Sequence, residues 1–476
     1  MKTLVYLLNV LFVFFCVGCK TGNKWNIKRE IHMPNHWHSA VGNTNTVLAQ
    51  WWLQFNNPKL DALVQEGLAN NLDIQIAAKR LELAQVQAQM VDFSSRPNFN
   101  ASVNGEKRRS NYIGLPFGDG GVIKSRTENF ASNLTVNWEV DLWGRIRHAK
   151  NASSLDVYAV DLDNKAASHS LVSQIVKGWF SLGEANELFK LMERQIGIAK
   201  LAQDQIEIRY KLGNATSADL KRAQANYVYY QSRLSQISAS IVRYSRALEL
   251  MLGRHAGHKA PEVPDLPDSL AEVPVGLPSS VLSRRPDIAA SITRIKAAEL
   301  RMTEGRVGLL PKLSLTGSAG ASSNQLKDLL DGNFLIWALG SGITQTVLLP
   351  DERKSRVRER EVKAEKYLLE HRSIVLSALT EVEQALQIGL LLDRQLGDSL
   401  ETANKYGELI DISNERYAQG VGSLRDLLEA QRIYVDSRMN WVRLKKQQID
   451  NRVNLHLALG GGFGSKETSN EASTAD

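Results

Sequence analysis

The sequence predicts a mainly α-helical fold with a smaller β portion, in which one structural unit occurs twice. Three observations predict this fold class. Two stretches far apart in the chain match at a nearly constant spacing, each copy includes a segment with strand-like alternation, and each copy ends in very long helices with a heptad pattern. The chain has 476 residues, which is enough for one large duplicated domain.

The duplication is clearest at two glycine-centred turns. The chain reads RYKLGNATSADLKRAQ from Arg209 and RYAQGVGSLRDLLEAQ from Arg416, an offset of 207 residues. Further upstream, NLDIQIAAKR from Asn71 lies over RPDIAASITR from Arg285 at an offset of 214. Matches at both ends of a long segment predict two copies of one unit rather than one repeated motif.

The repeat and its flanking composition divide the chain into six parts. These are a signal peptide at 1–18, a lipidated N-terminal segment at 19–60, the first unit at 61–253, a proline-rich linker at 254–278, the second unit at 279–460 and a disordered polar tail at 461–476. The prolines of the linker remove backbone donors and block helix formation, so we expect the linker to be extended.

Each unit offers two strands. They are expected at 99–105 and 130–142 in the first unit and at 313–319 and 334–347 in the second. Apolar and polar residues alternate along 130–142, which suits either a soluble sheet with a covered apolar face or a membrane barrel with that face on lipid. Four strands cannot close a membrane barrel, because the smallest use eight, so we expect the chain to oligomerise.

Two helix pairs account for most of the remaining sequence. From Arg145 to Tyr210 the chain has no proline, which at 1.5 Å per residue allows a helix on the order of 100 Å. Apolar residues recur at steps of three and four on both sides of each turn, so each pair is expected to form an antiparallel coiled coil. Ser437, Gln448 and Asn451 interrupt the second seam, which indicates either a looser, movable second pair or a wider helix environment that faces neighbouring helices.

The N-terminal stretch MKTLVYLLNVLFVFFCVGC has the basic start and short apolar core of a secretory signal. Its last four residues resemble a bacterial lipobox, which implies lipid attachment at Cys19; the alternative is simple cleavage after Gly18 without a lipid. Beyond this signal no eighteen consecutive residues are apolar, so no transmembrane helix is expected.

The sequence contains no motif for catalysis or cofactor binding. Phosphate-binding loops, dinucleotide fingerprints, zinc-protease motifs and nucleophile elbows are all missing, so we expect neither an enzyme nor a cofactor. His32, His36 and His38 have a metal-like spacing but lack supporting acids or cysteines, so no metal site is expected. The net charge of +7 is interleaved with acids rather than clustered, which argues against nucleic-acid binding.

Several motifs resemble those of the TolC-type outer membrane factors. They are WWLQFNNPKLDALVQEGLANNLDIQIAAKR, the DLWGRIR corner, the SRRPDIAAS helix start and the two glycine-centred turns, and they extend from about Trp51 to Gly460. The RPDI segment together with the lipobox resembles the lipoprotein branch of this family, which serves resistance-nodulation-division efflux pumps.

This resemblance implies a homotrimer whose strands close a twelve-stranded barrel in the outer membrane and whose helices form a coiled-coil tunnel across the periplasm. We then expect a passive exit duct for small molecules, delivered by an inner-membrane resistance-nodulation-division pump through a periplasmic adaptor. The expected location is the outer membrane, in contact with its lipid and anchored at Cys19.

The resemblance also implies roles for the two turns. Asp426 and Glu429 match the acids that ring the closed periplasmic gate of the family; without the family, they are ordinary first-turn acids of a helix. The adaptor-contact turns match Gly213, Asn214, Ala215 and Thr216 in the first unit and Gly420, Val421, Gly422 and Ser423 in the second. Gly422 stands where the family has an arginine, so the ion pair of that arginine is not expected here.

Two other functions fit parts of the sequence. A lipid-anchored periplasmic coiled-coil adaptor accounts for the long helices but not for the alternating strand. An exit duct for protein secretion shares the predicted fold and differs only in its cargo.

Overall fold

The computed structural model describes residues 37, 50–112, 123–257, 263, 265–267, 269–271, 273, 284–345 and 350–461. The helices in these residues are α1 (Pro58–Asn70), α2 (Leu72–Phe93), α3 (Arg145–Lys211), α4 (Ser217–Met251), α5 (Pro286–Val307), α6 (Pro350–Ala418) and α7 (Leu424–Ala458). The strands are β1 (Asn98–Tyr112), β2 (Ile123–Val140), β3 (Lys312–Ser323) and β4 (Leu335–Thr344). The predicted fold class, mainly helical with two strand pairs, is confirmed.

The two units share one element order and one strand register. Helix, two strands, long helix and shorter helix follow one another as α2 to α4 and again as α5 to α7. Phe99 pairs with Val136 between β1 and β2, and Leu313 pairs with Ile343 between β3 and β4. Leu313 lies 214 residues after Phe99, and Ile343 lies 207 residues after Val136. Both offsets found in the sequence therefore relate residues that pair in the same register.

The four strands form one antiparallel sheet in the order β1-β2-β3-β4. β1 continues to Tyr112, past the predicted 99–105, and β2 begins at Ile123, before the predicted 130–142, although it ends at Val140. Residues expected in a loop pair as strands here; Lys107 and Glu128, for example, stand opposite each other and form an ion pair. β4 ends at Thr344 instead of the predicted 347, and residues 346–349 lie outside the described part of the chain.

One face of the sheet is apolar across all four strands. Val136 stands between Phe99 and Gly317, and Gly317 stands opposite Leu339, so these residues point to the same side. The large apolar side chains of this face, all exposed in the single chain, are Phe99, Val103, Leu134, Trp138, Leu315, Leu335, Trp337, Leu339 and Ile343. None of the helices that the structure describes covers them, as a helix or second sheet would in a water-soluble protein.

A corner between β2 and α3 connects the sheet to the long helices. The Asp141 carboxylate accepts hydrogen bonds from the backbone N–H groups of Ile146 and Arg147 at 2.9 and 2.8 Å. These bonds satisfy first-turn donors of α3 that have no partner within the helix. The indole of Trp143 donates to the carbonyl of Pro311 at 2.7 Å and thereby ties this corner to the start of β3.

The end of each helix pair is fastened to the start of its own unit. Asn71 caps α2, and its side-chain amide donates to the Met251 carbonyl at the end of α4, at 2.8 Å. The equivalent Arg285 precedes α5 and donates to the Ala458 carbonyl at the end of α7, at 3.2 Å. A different side chain therefore makes the same junction in each unit.

Two glycines allow this junction to close. Gly253 and Gly460 have φ angles of +70° and +89°, in the left-handed region that favours glycine. A Cβ on Gly253 would lie 2.5 Å from the Asn70 carbonyl oxygen, and one on Gly460 would lie 2.9 Å from the Arg284 carbonyl carbon. Both positions therefore require glycine for space as well as for conformation.

The hydrophobic core includes residues that lie outside the predicted units, both before and after the first of them. Trp51 and Trp52 form a short 3₁₀ turn and are buried, and Trp51 stacks on His456 of α7 with ring centroids 5.0 Å apart. Part of the segment predicted as the lipidated N-terminus therefore belongs to the folded core. The linker also contributes, since Leu266 is buried in this core and Ala271 accepts a hydrogen bond from Arg452.

Of the two interpretations of the polar α7 seam, the contacts favour the wider helix environment over a loosely packed pair. Gln448 donates to Asp393 of α6, and the Asn451 amide donates to the Ala385 carbonyl at 2.8 Å. The polar residues of the α7 seam therefore bind α6 across the pair. α7 is more deeply buried than α4, its counterpart in the first unit. The reason is that α7 packs against α3 as well as α6.

One helix is more apolar than the sequence analysis suggested. By length and composition, the part of α6 from Lys354 to Ala418 could cross a membrane, and among the described residues no other helix meets that test. Only 22% of the residues in that apolar stretch are buried, so most of the stretch is at least partly exposed in the single chain. One such helix is weak evidence of a span, because the helices of many water-soluble proteins are equally apolar.

Two buried histidines make the fold sensitive to acid. Burial lowers the pKa of His169 to about 4, partly offset by Asp287, and lowers that of His456 to about 3, assisted by Arg452. Below about pH 6.5 the unfolded chain binds protons that the folded rings exclude. We expect stability to fall from about pH 6.5 to pH 4, by about 1.4 kcal/mol per unit of pKa difference, which melting temperatures across this range will show.

The contribution of one ring can be isolated by substitution. The melting temperature of His169→Gln is expected to vary less between pH 6.5 and 4 than that of the wild type. His255 is exposed, so His255→Gln is the matched control and should follow the wild-type profile. Parallel profiles for H169Q and the wild type would contradict the assignment.

Candidate functional site: the two helix tips

The turn between α3 and α4 is closed by backbone and side-chain hydrogen bonds. Gly213 has a φ of +77°, and the amide of Asn214 donates to the Arg209 carbonyl at 2.8 Å. Thr216 then caps α4: its hydroxyl oxygen accepts from the Asp219 N–H at 3.1 Å, and the Asp219 carboxylate accepts from the Thr216 N–H at 3.2 Å. The hydrogen bonds from Thr216 lower the pKa of Asp219.

The turn between α6 and α7 is tighter. Gly420 has a φ of +74°, and the amides of Val421 and Gly422 both donate to the Arg416 carbonyl, at 3.1 and 2.9 Å. A Cβ on Gly422 would lie 2.8 Å from backbone atoms of Arg416 and Tyr417. In the turn as it is built here, this position therefore has no room for a side chain.

The acids that follow the two turns are equivalent in sequence but differ in their contacts. Asp426 corresponds to Asp219 at the offset of 207. The hydroxyl of Ser423, the N-cap of α7, accepts from the Arg425 N–H at 3.1 Å. Asp426 binds Ser423 only through its backbone N–H, which donates to the Ser423 carbonyl at 3.2 Å. Within the described part of the chain, the exposed Asp426 carboxylate has no hydrogen-bond or ion-pair partner.

Glu429 lies one turn beyond Asp426 on the same side of α7 and is ion-paired. Arg432 donates to both oxygens of its carboxylate, at 2.5 and 3.0 Å, and also to Asp436 at 3.1 Å. The hydrogen bond from Arg432 lowers the pKa of Glu429 and offsets its negative charge. Sequence analysis missed Arg432, although the spacing of three and four residues between these charges is the signal of such a pair.

The other predicted site residues divide into three groups. Gly213, Asn214, Thr216, Gly420, Val421 and Ser423 are exposed at the tips, whereas Ala215 and Gly422 are half-buried. Cys19, His32, His36 and His38 lie outside the described residues. In the part of the chain that the structure describes, no group of three or more histidine, cysteine, aspartate or glutamate side chains could hold a metal ion.

A sheet with an uncovered apolar face, joined to long helix pairs with polar tips, is the architecture of an outer membrane channel with a helical extension. The profile of the family described as "Outer membrane efflux protein" matches residues 63–254 and 277–461. The chain belongs to this family.

Known proteins similar to this chain are outer membrane proteins. The chain is 26% identical over 440 residues to the pyoverdine export outer membrane protein OpmQ of Pseudomonas aeruginosa, covering 90% of this chain and 91% of that one. It is 24% identical over 472 residues to the probable outer membrane lipoprotein SilC of Salmonella typhimurium, covering 96% and 98%. The solved CmeC outer membrane channel of Campylobacter jejuni superimposes with a TM-score of 0.85 at 25% identity, covering 94% and 96%.

The family and the fold together define the general role of the protein. It is an outer membrane efflux channel, an exit duct located in the outer membrane, as the resemblance implied. The exposed apolar face of the sheet is then the lipid-facing surface of the barrel portion. The family is one of ducts, in which the protein provides a path rather than a reaction.

The tight second turn leads to a direct test of its geometry. Gly422→Ala places a methyl group against the backbone of Arg416, so the turn must open. We expect faster trypsin cleavage at Arg416 and Arg425, by about fivefold for a cost of about 1 kcal/mol in local opening.

The matched control is Gly397→Ala in α6, where an added Cβ meets no atom within 4 Å. This change replaces glycine by a better helix former, so cleavage should be unchanged or slower. Equal cleavage of G422A and the wild type would show that the turn tolerates a side chain at this position.

Proposed function

We propose that the chain works as a homotrimer and forms the outer membrane part of a tripartite efflux system. An inner-membrane resistance-nodulation-division pump would supply the energy, a periplasmic adaptor would join the two, and small molecules would pass through without chemical change. The sheet supports the oligomer: β1 and β4 are its edges, and four strands are too few to close around a channel. The export role in the name of OpmQ supports the cargo class.

Lipid attachment at Cys19 is part of this proposal. The lipobox-like tetrad before it supports the attachment, as does the name of the similar lipoprotein SilC. More than one acyl chain on this cysteine would anchor the chain firmly, because a single chain binds a membrane only marginally.

The proposed gate rests on the difference between Asp219 and Asp426. Asp219 makes three hydrogen bonds with Thr216, two of them through its carboxylate, and is committed to the helix cap. The Asp426 carboxylate makes no such bond, so its charge remains available to ions at the tip. In a trimer, three such carboxylates form a ring that attracts cations and repels anions. Glu429 contributes less to this field because Arg432 neutralises it.

Single-channel currents in planar bilayers test the proposed gate. Asp426→Asn is expected to lower the preference for cations, whereas Glu429→Gln alone should change it little. Arg432→Gln uncovers the charge of Glu429 and is expected to raise the cation preference above that of the wild type.

The matched control for these currents is Asp219→Asn, at the equivalent position of the first turn. It removes the same charge from a residue that serves a helix cap, so selectivity should remain that of the wild type. Identical selectivity in D426N and D219N would refute the gate assignment.

The adaptor is proposed to contact the two turns. Their exposed residues lie at the ends of helices of 67 and 69 residues, the parts of the helical region farthest from the sheet. Asn214→Cys and Val421→Cys, labelled with a photoreactive maleimide in the periplasm, are expected to cross-link a periplasmic protein that mass spectrometry will identify.

Leu330→Cys is the matched control for this cross-linking. Leu330 is exposed in the segment between β3 and β4, at the opposite end of the unit. Cross-links of equal yield at Leu330, or none at either turn, would contradict the adaptor contact.

A further inference from the structure

We propose that the outer face of α2 is covered by α6 of a second copy of this chain, and that Arg80 forms an ion pair there with Glu370 of the partner subunit. This inference rests on the proposed homotrimer and specifies its contacts. It follows from comparing the two units, because the second unit has in this chain a neighbour that the first unit lacks.

The difference between the units lies in what packs against their first helix. α5 packs on two long helices, its own α6 and the α3 of the preceding unit. α2 packs on its own α3 in the same way, but among the described helices none takes the place beside α2 that α3 takes beside α5. The missing neighbour is the equivalent of α3, which is α6 of another chain.

Burial along the two first helices supports this comparison. Ala290 and Ala297 of α5 are fully buried, whereas the equivalent residues of α2, Ile76 and Leu83, are 49% and 57% exposed. The exposed apolar residues of α2 are Leu72, Ile76, Leu83, Val86, Met90 and Phe93. They lie opposite the side that faces α3 and form a stripe along the helix, which in a stable assembly requires a cover.

α6 carries a matching stripe. Val362, Leu369 and Leu376 recur every seven residues on one side of α6 and are exposed. At the equivalent position on α3, Leu162 is 7% exposed, compared with 63% for Leu369.

The charged residues of the covered contact predict the ion pair. Within the chain, Arg294 and Arg301 of α5 bind Asp163 and Asp156 of α3. The residue equivalent to Arg294 in the first unit, 214 positions earlier, is Arg80, and the residue equivalent to Asp163 in the second unit, 207 positions later, is Glu370. The residues equivalent to Arg301 and Asp156 are Gln87 and Lys363, which cannot form an ion pair. One of the two bridges is therefore expected to recur between chains.

No stronger contact within the chain competes for these two residues. Glu370 has an exposed ion pair with Lys366 at 3.4 Å, and such pairs contribute little. Arg80 is exposed, with no partner in the described part of the chain.

The same conversion predicts the register of the strands between chains. Val136 of β2 pairs with Gly317 of β3 at the boundary between units. The equivalent residues are Ile343 of β4 and Val103 of β1, so Ile343 is expected to stand opposite Val103 of the partner subunit.

Charge reversal tests the ion pair. In detergent, Arg80→Glu and Glu370→Arg are each expected to raise the protein concentration at which half the chains are trimeric, by about tenfold or more. Combining the two changes restores an ion pair of opposite orientation and should return this concentration to within about threefold of the wild-type value. Sedimentation velocity over a range of protein concentrations gives the concentration at which half the chains are trimeric.

The control for charge reversal is Glu82→Arg on the same helix. The counterpart of Glu82, Lys296 of α5, remains exposed beside α3, so this position is expected to lie outside the contact. Trimers of R80E that dissociate like the wild type, or a double variant no more stable than the single ones, would overturn the inference.

Disulfide formation provides a second test that does not depend on stability. Cα atoms of facing strand residues are about 5 Å apart, within reach of a disulfide. Val103→Cys with Ile343→Cys is expected to give covalent trimers on oxidation. Val103→Cys with Leu339→Cys is displaced by four residues and should not.

The outcomes separate the inference from the proposed function. If the wild-type protein is not trimeric, the proposed function itself fails. If it is trimeric but neither the charge reversals nor the cysteine pair responds as expected, the homotrimer stands and this arrangement of α2 and α6 is wrong. Lipid covering the α2 stripe is one arrangement that would give the second result.

Discussion

The packing of α5 between α3 and α6 is the contact on which the duplicated structure depends. It holds the second unit beside the first, and it does so with apolar burial reinforced by two arginine–aspartate pairs. Because α5 leads directly into β3, the same contact sets where β3 meets β2. The side-by-side arrangement of the long helices and the continuity of the sheet therefore have one origin.

The two units have diverged most where their surroundings differ. Asn71 and Arg285 make the same bond to the end of a helix pair, but only Arg285 also binds an acid of α6, Glu381. The tips diverge as well: the first acid completes a helix cap, whereas the second lies uncommitted beside a neutralised glutamate. The shared backbone therefore carries chemically distinct surfaces at each end.

Sequence patterns predicted the parts of the fold that show a clear heptad period or a glycine at a turn. The heptad steps predicted both long helix pairs, and the offsets predicted the pairing of equivalent strands. The extensions of β1 and β2 were missed because their outer residues are polar on both faces, so no alternation identifies them. The burial of Trp51 and Leu266 was missed because residues outside a repeat have no counterpart for comparison.

The candidate site was predictable in position but not in its electrostatics. Glycines and adjacent acids identified the two turns from sequence. The neutralisation of Glu429 depends on side-chain rotamers of Arg432, and the packing of α7 depends on its contact with α3, which no local pattern encodes. The polar seam of α7 left two interpretations open for the same reason, since Asn451 bonds to a backbone carbonyl of α6.

The two offsets also identify the part of the chain that is free to change in length. β1 and β3 are related by 214 residues and β2 and β4 by 207, so the whole difference of seven residues falls within the hairpin connections. From each sheet strand to its tip, the two units have the same number of residues. An epitope inserted between β1 and β2 would therefore leave the number of residues from sheet to tip, and with it the length of the duct, unaltered.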